Sequence, residues 1–116
     1  MLIGELAQKT GVSKDTIRFY EKIGLVVPTH RREKSGYKEY DEMTIERLRL
    51  IRQAKLLGFT LSEIEQGISA WQNGELSQAE KFQIMQGKID QVDEKIQQLK
   101  NIRKYLVSKL DKIQQG

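Results

Sequence analysis

From residue 78 to about residue 114 the chain contains no proline, and its apolar residues recur in a single stripe: Met85, Ile89, Val92, Ile96, Leu99, Leu106, Leu110 and Ile113. Their spacings alternate mostly between three and four, which is the repeat of a helical seam and not of a strand. Arg103 takes the seam position between Leu99 and Leu106, with Ile102 beside it. Ser77 and Glu80 form a capping box that opens this helix. At 1.5 Å per residue it is predicted to be about 55 Å long. A preceding domain of roughly 70 residues is too small to cover such a stripe. The simpler alternative is a lone amphipathic helix folding back on its own domain. Pairing with another copy through a two-stranded coiled coil accounts better for the stripe. Met85, Ile89, Val92, Ile96, Leu99, Ile102, Leu106 and Leu110 are then the dimerisation residues.

The residues before this helix read as several short elements. Ile3, Leu6 and Ala7 share one face of a helix over residues 2 to about 9, and Gly11 sits where a left-handed C-terminal residue is wanted. Ser13 is an N-cap for a second helix, with Asp15 in its first turn. That helix runs through Ile17 and Tyr20 to about Lys22, and Gly24 ends it. Two short helices across a Gly-x-Ser turn match a helix-turn-helix, a pattern shared by helical hairpins with no DNA role. Leu25, Val26 and Val27 are β-prone and Pro28 closes them; residues 30 to 40 then form a polar hairpin about Ser35-Gly36, a wing. A third helix follows Asp41, with Ile45, Leu48, Ile51 and Leu56 as its buried stripe and Gly58 as its end. Thr60 and Glu63 make a capping box, and Phe59 and Ile64 a hydrophobic staple. The fourth helix carries Leu61, Ile64, Ile68 and Trp71 on one face until Asn73-Gly74 breaks it.

The fold class expected is mainly α: a winged helix-turn-helix domain with a small β-hairpin wing over residues 1–71, a linker over 72–77 and a long dimerisation helix over 78–116. On the second helix Lys14, Thr16 and Arg18 face outward with Tyr20 near them, a set of cations and hydroxyls suited to phosphates and base edges. The wing adds His30, Arg31, Arg32, Lys34, Tyr37 and Lys38 within nine residues. Arg31 or Arg32 is placed to reach a phosphate or the minor groove; Tyr40 is read as packing the hairpin, and Tyr37 as either packing or contact.

Composition narrows the alternatives. There are 20 Lys/Arg against 16 Asp/Glu, a net charge of +4 that permits nucleic-acid binding without demonstrating it. No cysteine is present, so disulfides, thiolate metal sites and iron-sulfur sensing are excluded for these residues. There is no signal-peptide pattern and no apolar run of membrane-spanning length, so a soluble cytoplasmic protein without membrane association is expected. No nucleophile-base-acid set, Gly-rich phosphate loop or metal-ligand cluster occurs, and the single histidine lies in the wing; neither an enzyme nor a cofactor or metal requirement is expected.

The segment IGELAQKTGVSKDTIRFYEKIGLV, followed by RREKSGYKEYDEMTIERLRLIRQAKLLGFTLSEI, resembles the N-terminal domain of the MerR family of bacterial transcription regulators. TIRFYEKIGL, GYKEY and LLGFTLSEI, in that order, carry the resemblance over residues 1 to about 70, and the long helix fits the same layout. The resemblance implies a homodimer held by an antiparallel coiled coil, with two recognition helices and two wings on one palindromic promoter operator of double-stranded DNA. It implies control of transcription by bending and untwisting a promoter with an overlong spacer, so that RNA polymerase engages both elements. Position in the motif assigns phosphate or groove contacts to Arg18, Tyr20, Arg31 or Arg32, and Tyr37, and base-side contacts to Lys14 and Thr16; Ser13 and Lys38 complete the expected DNA-binding set.

Many relatives carry an effector segment after the dimer helix, whereas this sequence reaches Gly116 close to the end of that helix. The effector is not identified by the sequence. Phe59, Trp71, Phe82 and Tyr105 are candidates to line an apolar pocket between the fourth helix and the partner's coil, against the plainer reading that Trp71 and Phe82 pack domain to coil. Two other functions stand beside the regulator: an architectural DNA-binding protein such as a recombination directionality factor, and a protein-interaction module built on the coil.

Overall fold

The computed structural model describes residues 1–31 and 36–116, without the side chains of residues 30 and 31. Five helices and a two-stranded sheet follow in the order α1 (Ile3–Thr10), α2 (Lys14–Lys22), β1 (His30–Arg31), β2 (Lys38–Glu39), α3 (Glu42–Leu56), α4 (Leu61–Gln72) and α5 (Gln78–Gln115). The strands are antiparallel, pairing His30 with Glu39 and Arg31 with Lys38. The chain divides into two compact units, Met1–Glu75 and Leu76–Gly116.

In the first unit, α1, α2, α3 and α4 each turn one apolar face to a common core. Leu6, Ile17, Leu48 and Ile51 are fully buried at its centre, and Tyr20, Tyr40, Ile45, Ile64 and Ile68 surround them. Leu25 and Val26 belong to this core without forming a strand. Gly24, at φ 79°, reverses the chain after α2, and the backbone N–H groups of Leu25 and Val26 both donate to the carbonyl of Tyr20, at 2.8 and 3.2 Å. Their β-propensity is overridden by this helix-end turn, and Val27 beyond it is exposed.

The helix starts follow cap chemistry. Asp41 accepts from the N–H groups of Met43 and Thr44 at the start of α3. Thr60 and Glu63 close a reciprocal capping box on α4, and Phe59, preceding it, packs against the core. One residue of the expected α3 stripe is displaced: Leu56 is 80% exposed. It stands five residues after Ile51, about 140° further round the helix, and is the last residue before the turn into α4.

In the second unit, Ser77 and Glu80 form the capping box that starts α5. The helix has 38 residues, which is about 57 Å at 1.5 Å each, and none of them is buried. Exposure along its apolar stripe runs from 37% at Met85 to 74% at Ile113. Among the described residues, no helix is long and apolar enough to cross a membrane.

Candidate nucleic-acid interface

The turn between α1 and α2 is held from three sides. Gly11 adopts φ 71° and its N–H donates to the carbonyl of Ala7 at 2.9 Å. The Thr10 hydroxyl donates to the carbonyl of Leu6 at 2.8 Å and accepts from Val12 N–H at 3.3 Å. From α3, Arg52 Nη1 donates to the carbonyl of Thr10 at 3.4 Å. A Cβ at position 11 would lie 3.0 Å from that nitrogen, so glycine is required both by φ and by the approach of Arg52.

This turn sets the direction of α2. Ser13 caps the helix: its Oγ accepts from Thr16 N–H at 3.1 Å and donates to Thr16 Oγ1 at 2.8 Å. Ile17 and Tyr20 face the core, while Lys14, Asp15, Arg18, Phe19 and Lys22 are exposed. Lys14, Arg18 and Lys22 are four residues apart and form one cationic stripe. Arg18 Nη1 lies 3.5 Å from Asp15 Oδ1, with the arginine side chain 61% exposed. An exposed pair of this kind holds by about 0–1 kcal/mol and leaves the guanidinium available to a phosphate.

The wing is fixed to this helix by Glu21. Its side chain is only 7% exposed; Oε2 lies 2.6 Å from Lys38 Nζ, and Oε1 accepts a hydrogen bond from the Tyr40 hydroxyl. Burial, reinforced by the adjacent Glu21 carboxylate, pushes the Tyr40 hydroxyl well above the ordinary tyrosine range. Tyr40 also exchanges backbone hydrogen bonds with Met1, each 2.8 Å, and Thr29 N–H donates to the carbonyl of Glu39 at 2.8 Å. The base of the hairpin is thereby attached to the first residue and to α2.

The structure sorts the expected DNA-binding residues. Ser13, Lys14 and Arg18 are exposed on α2 and Thr16 is half-buried beside the cap. Tyr37 is exposed next to β2. Arg31 lies in β1, while Arg32, with Lys34, falls outside the described residues. Two placements differ from expectation. Tyr20, three residues after Ile17 and on the same face, is 5% exposed and belongs to the core instead of standing beside the outward cations. Lys38 is directed to Glu21. Sequence reasoning missed Lys22, which its four-residue spacing from Arg18 could have revealed. It also missed Glu21, whose partners lie 17 and 19 residues later and leave no local signal.

Of the aromatic residues proposed for a pocket, Phe59 and Trp71 are half-buried in the first unit. Phe82 and Tyr105 are exposed on α5, about 35 Å apart along its axis. Lys109 Nζ stands 5.7 Å from the Tyr105 ring centroid. No group of three or more His, Asp or Glu side chains able to hold a metal ion occurs among the described residues.

A helix-turn-helix whose second helix presents a cationic stripe, with a hairpin fixed to that helix, defines a winged helix-turn-helix DNA-binding protein. The chain belongs to the MerR family of helix-turn-helix transcription regulators: the model of the MerR HTH family regulatory protein matches residues 1–70, and that of the MerR DNA-binding region matches residues 45–109. It is 40% identical over 105 residues to the mercuric resistance operon regulatory protein of Bacillus cereus, covering 90% of this chain and 79% of that protein. The lead(II)-bound transcription regulator PbrR691 of Ralstonia metallidurans superposes with a TM-score of 0.81 at 33% identity, covering 93% of this chain and 84% of that one. HiNmlR, a MerR family regulator lacking the sensor domain and bound to promoter DNA, superposes with a TM-score of 0.62 at 26% identity, over 87% of this chain and 76% of that one.

Proposed function

We propose that two copies of the chain bind a palindromic promoter operator, joined through α5, and control transcription by distorting the promoter for RNA polymerase. The observation that carries this reading is the cationic stripe of α2 standing beside a wing attached through Glu21. Lys14 and Thr16 face bases, Arg18 takes a phosphate or groove contact, and Ser13 sets the helix start that aims them. Tyr37 and either Arg31 or Arg32 extend the contact through the wing. Promoter DNA bound to the related HiNmlR supports this placement.

The exposed seam of α5 supports the homodimer. Its charges favour an antiparallel pair. Residues 78–94 hold four acids and two lysines, a net of −2, whereas residues 95–115 hold six cations and one acid, a net of +5. Reversing the partner's direction sets each acidic half against a basic half.

The names of two relatives refer to mercury and lead, both soft metals. This chain has no cysteine to bind such ions as thiolate, so its own residues support DNA binding without supporting that mode of sensing.

Fluorescence anisotropy with a palindromic promoter duplex and a scrambled duplex, at two salt concentrations, tests the reading. Binding that prefers the promoter and weakens steeply with salt is expected. Equal binding to both duplexes would favour an architectural DNA protein instead.

A further inference from the structure

The seam of α5 has its own register information. Alternating steps of four and three place Ile96 and Arg103 at a positions and Val92 and Leu99 at d positions of the heptad. The flanking e positions then include Asp93 and Lys100, and the g positions include Lys88, Lys95 and Lys109. When two such helices run antiparallel, a layers face d layers, e positions meet e positions, and g positions meet g positions.

We propose that α5 takes a second copy of this chain in one register, with the two-fold axis passing between Gln97 and Gln98, so that Asp93 of each copy meets the partner's Lys100 and the partner's Arg103. The proposal rests on the dimeric reading above and adds the alignment to it. In this register Ile96 packs against the partner's Leu99, and Arg103 lies over the partner's Val92. From there Arg103 extends toward the partner's Asp93, which follows one residue later on the same side. A cation inside an apolar seam thus gains a carboxylate, and does so once in each copy.

The neighbouring registers lose this match. Moving the axis one half-heptad toward the C-terminus slides the helices past each other by about 10 Å. It sets Lys100 against the partner's Lys100 and brings Arg103 beside that same lysine; Lys95 then faces the partner's Lys109. Moving it the other way sets Asp93 against the partner's Asp93, Lys95 against the partner's Lys95, and shortens the apolar overlap. The favoured register keeps one unfavourable contact, Lys88 near the partner's Lys109, far from the axis. It alone of the three also brings opposite charges together.

The chain has no cysteine, so introduced thiols report without background. Asp93→Cys and Lys100→Cys are prepared separately, mixed, allowed to exchange subunits and treated with a short bis-maleimide. Both positions are exposed, so neither change removes a seam contact. The expected result is a covalent dimer in the mixture, at least several-fold more abundant than in either variant alone. Efficient coupling of Lys100→Cys alone, or of Asp93→Cys alone, would overturn the register in favour of one of the two shifted alignments. Absence of coupling in the mixture while sedimentation still shows dimers would also overturn it. Monomers throughout would instead end the dimeric reading on which it rests. An independent check is Lys100→Glu, which should weaken the dimer by about fivefold through repulsion from Asp93; tighter dimers would point to the C-terminally shifted register.

Discussion

Glu21 and Arg18 are three residues apart on α2, and their carboxylate and guanidinium have opposite tasks. Arg18 is exposed and, among the described residues, pairs with Asp15, so its replacement removes the proposed DNA contact and little else. Arg18→Ala should weaken promoter binding by about 1–3 kcal/mol while leaving the thermal stability within experimental error; unchanged anisotropy titrations would displace α2 as the recognition helix. Glu21 is covered and bonded to both Lys38 and Tyr40. Glu21→Gln loses the ion pair and should cost about 1–3 kcal/mol of stability, towards the lower end because Lys38 is part-exposed. Promoter affinity should fall with it because the wing loses its attachment, whereas Lys38→Met, which retains the Tyr40 bond, should lower affinity less. Tyr40 gives this cluster a pH signature. Its hydroxyl is held protonated in the folded state above the ordinary tyrosine pKa. Its stabilising contribution is therefore complete below about pH 10, where the unfolded tyrosine ionises, and declines as pH rises beyond that value. Melting curves across the alkaline range should fall more steeply for the parent chain than for Tyr40→Phe; identical slopes would remove Tyr40 as the source.

At the scale of elements, Ile96→Asp places a charge in the centre of the α5 seam. It should disfavour pairing by about 3 kcal/mol for each copy and give monomers in sedimentation, with α1 to α4 unaffected. Unchanged dimers would mean that a different face of α5 makes the contact. The elements themselves were readable in the sequence to the extent that their causes are local. Ser13, Asp41, Thr60 and Ser77 announce helix starts because a cap and the backbone N–H that donates to it lie within three residues of each other, and each is found capping its helix. The α5 seam is readable because it repeats. What depends on the rest of the fold is not readable. Val26 looks like a strand residue until Gly24 turns it into the core, and Leu56 looks like a core residue until α3 ends beneath it. Tyr20 looks like a partner of Arg18 until its shared face with Ile17 is taken into account. In the interface, the stripe of Lys14 and Arg18 is visible from helical spacing, whereas the attachment of the wing is a pairing between residues far apart in sequence.

For the whole molecule, the first unit has a core of its own and α5 does not: no residue of the helix is buried. In proteins most helical stability comes from packing an apolar face. In the proposed dimer the order of α5 and the pairing of the two copies would be one equilibrium, governed by mass action. Thermal melts followed by far-UV circular dichroism should shift upward with protein concentration, by roughly 3 °C for each tenfold increase. A melting temperature independent of concentration would show that α5 is stable without a partner. A further consequence concerns abundance in the cell. In the proposed dimer, scarce copies would leave α5 unpaired and its backbone open to proteases, and plentiful copies would shield it by pairing. The half-life of the protein would then lengthen as its own level rises, and the transition between silence and occupancy of the operator would be sharper than DNA affinity alone would make it.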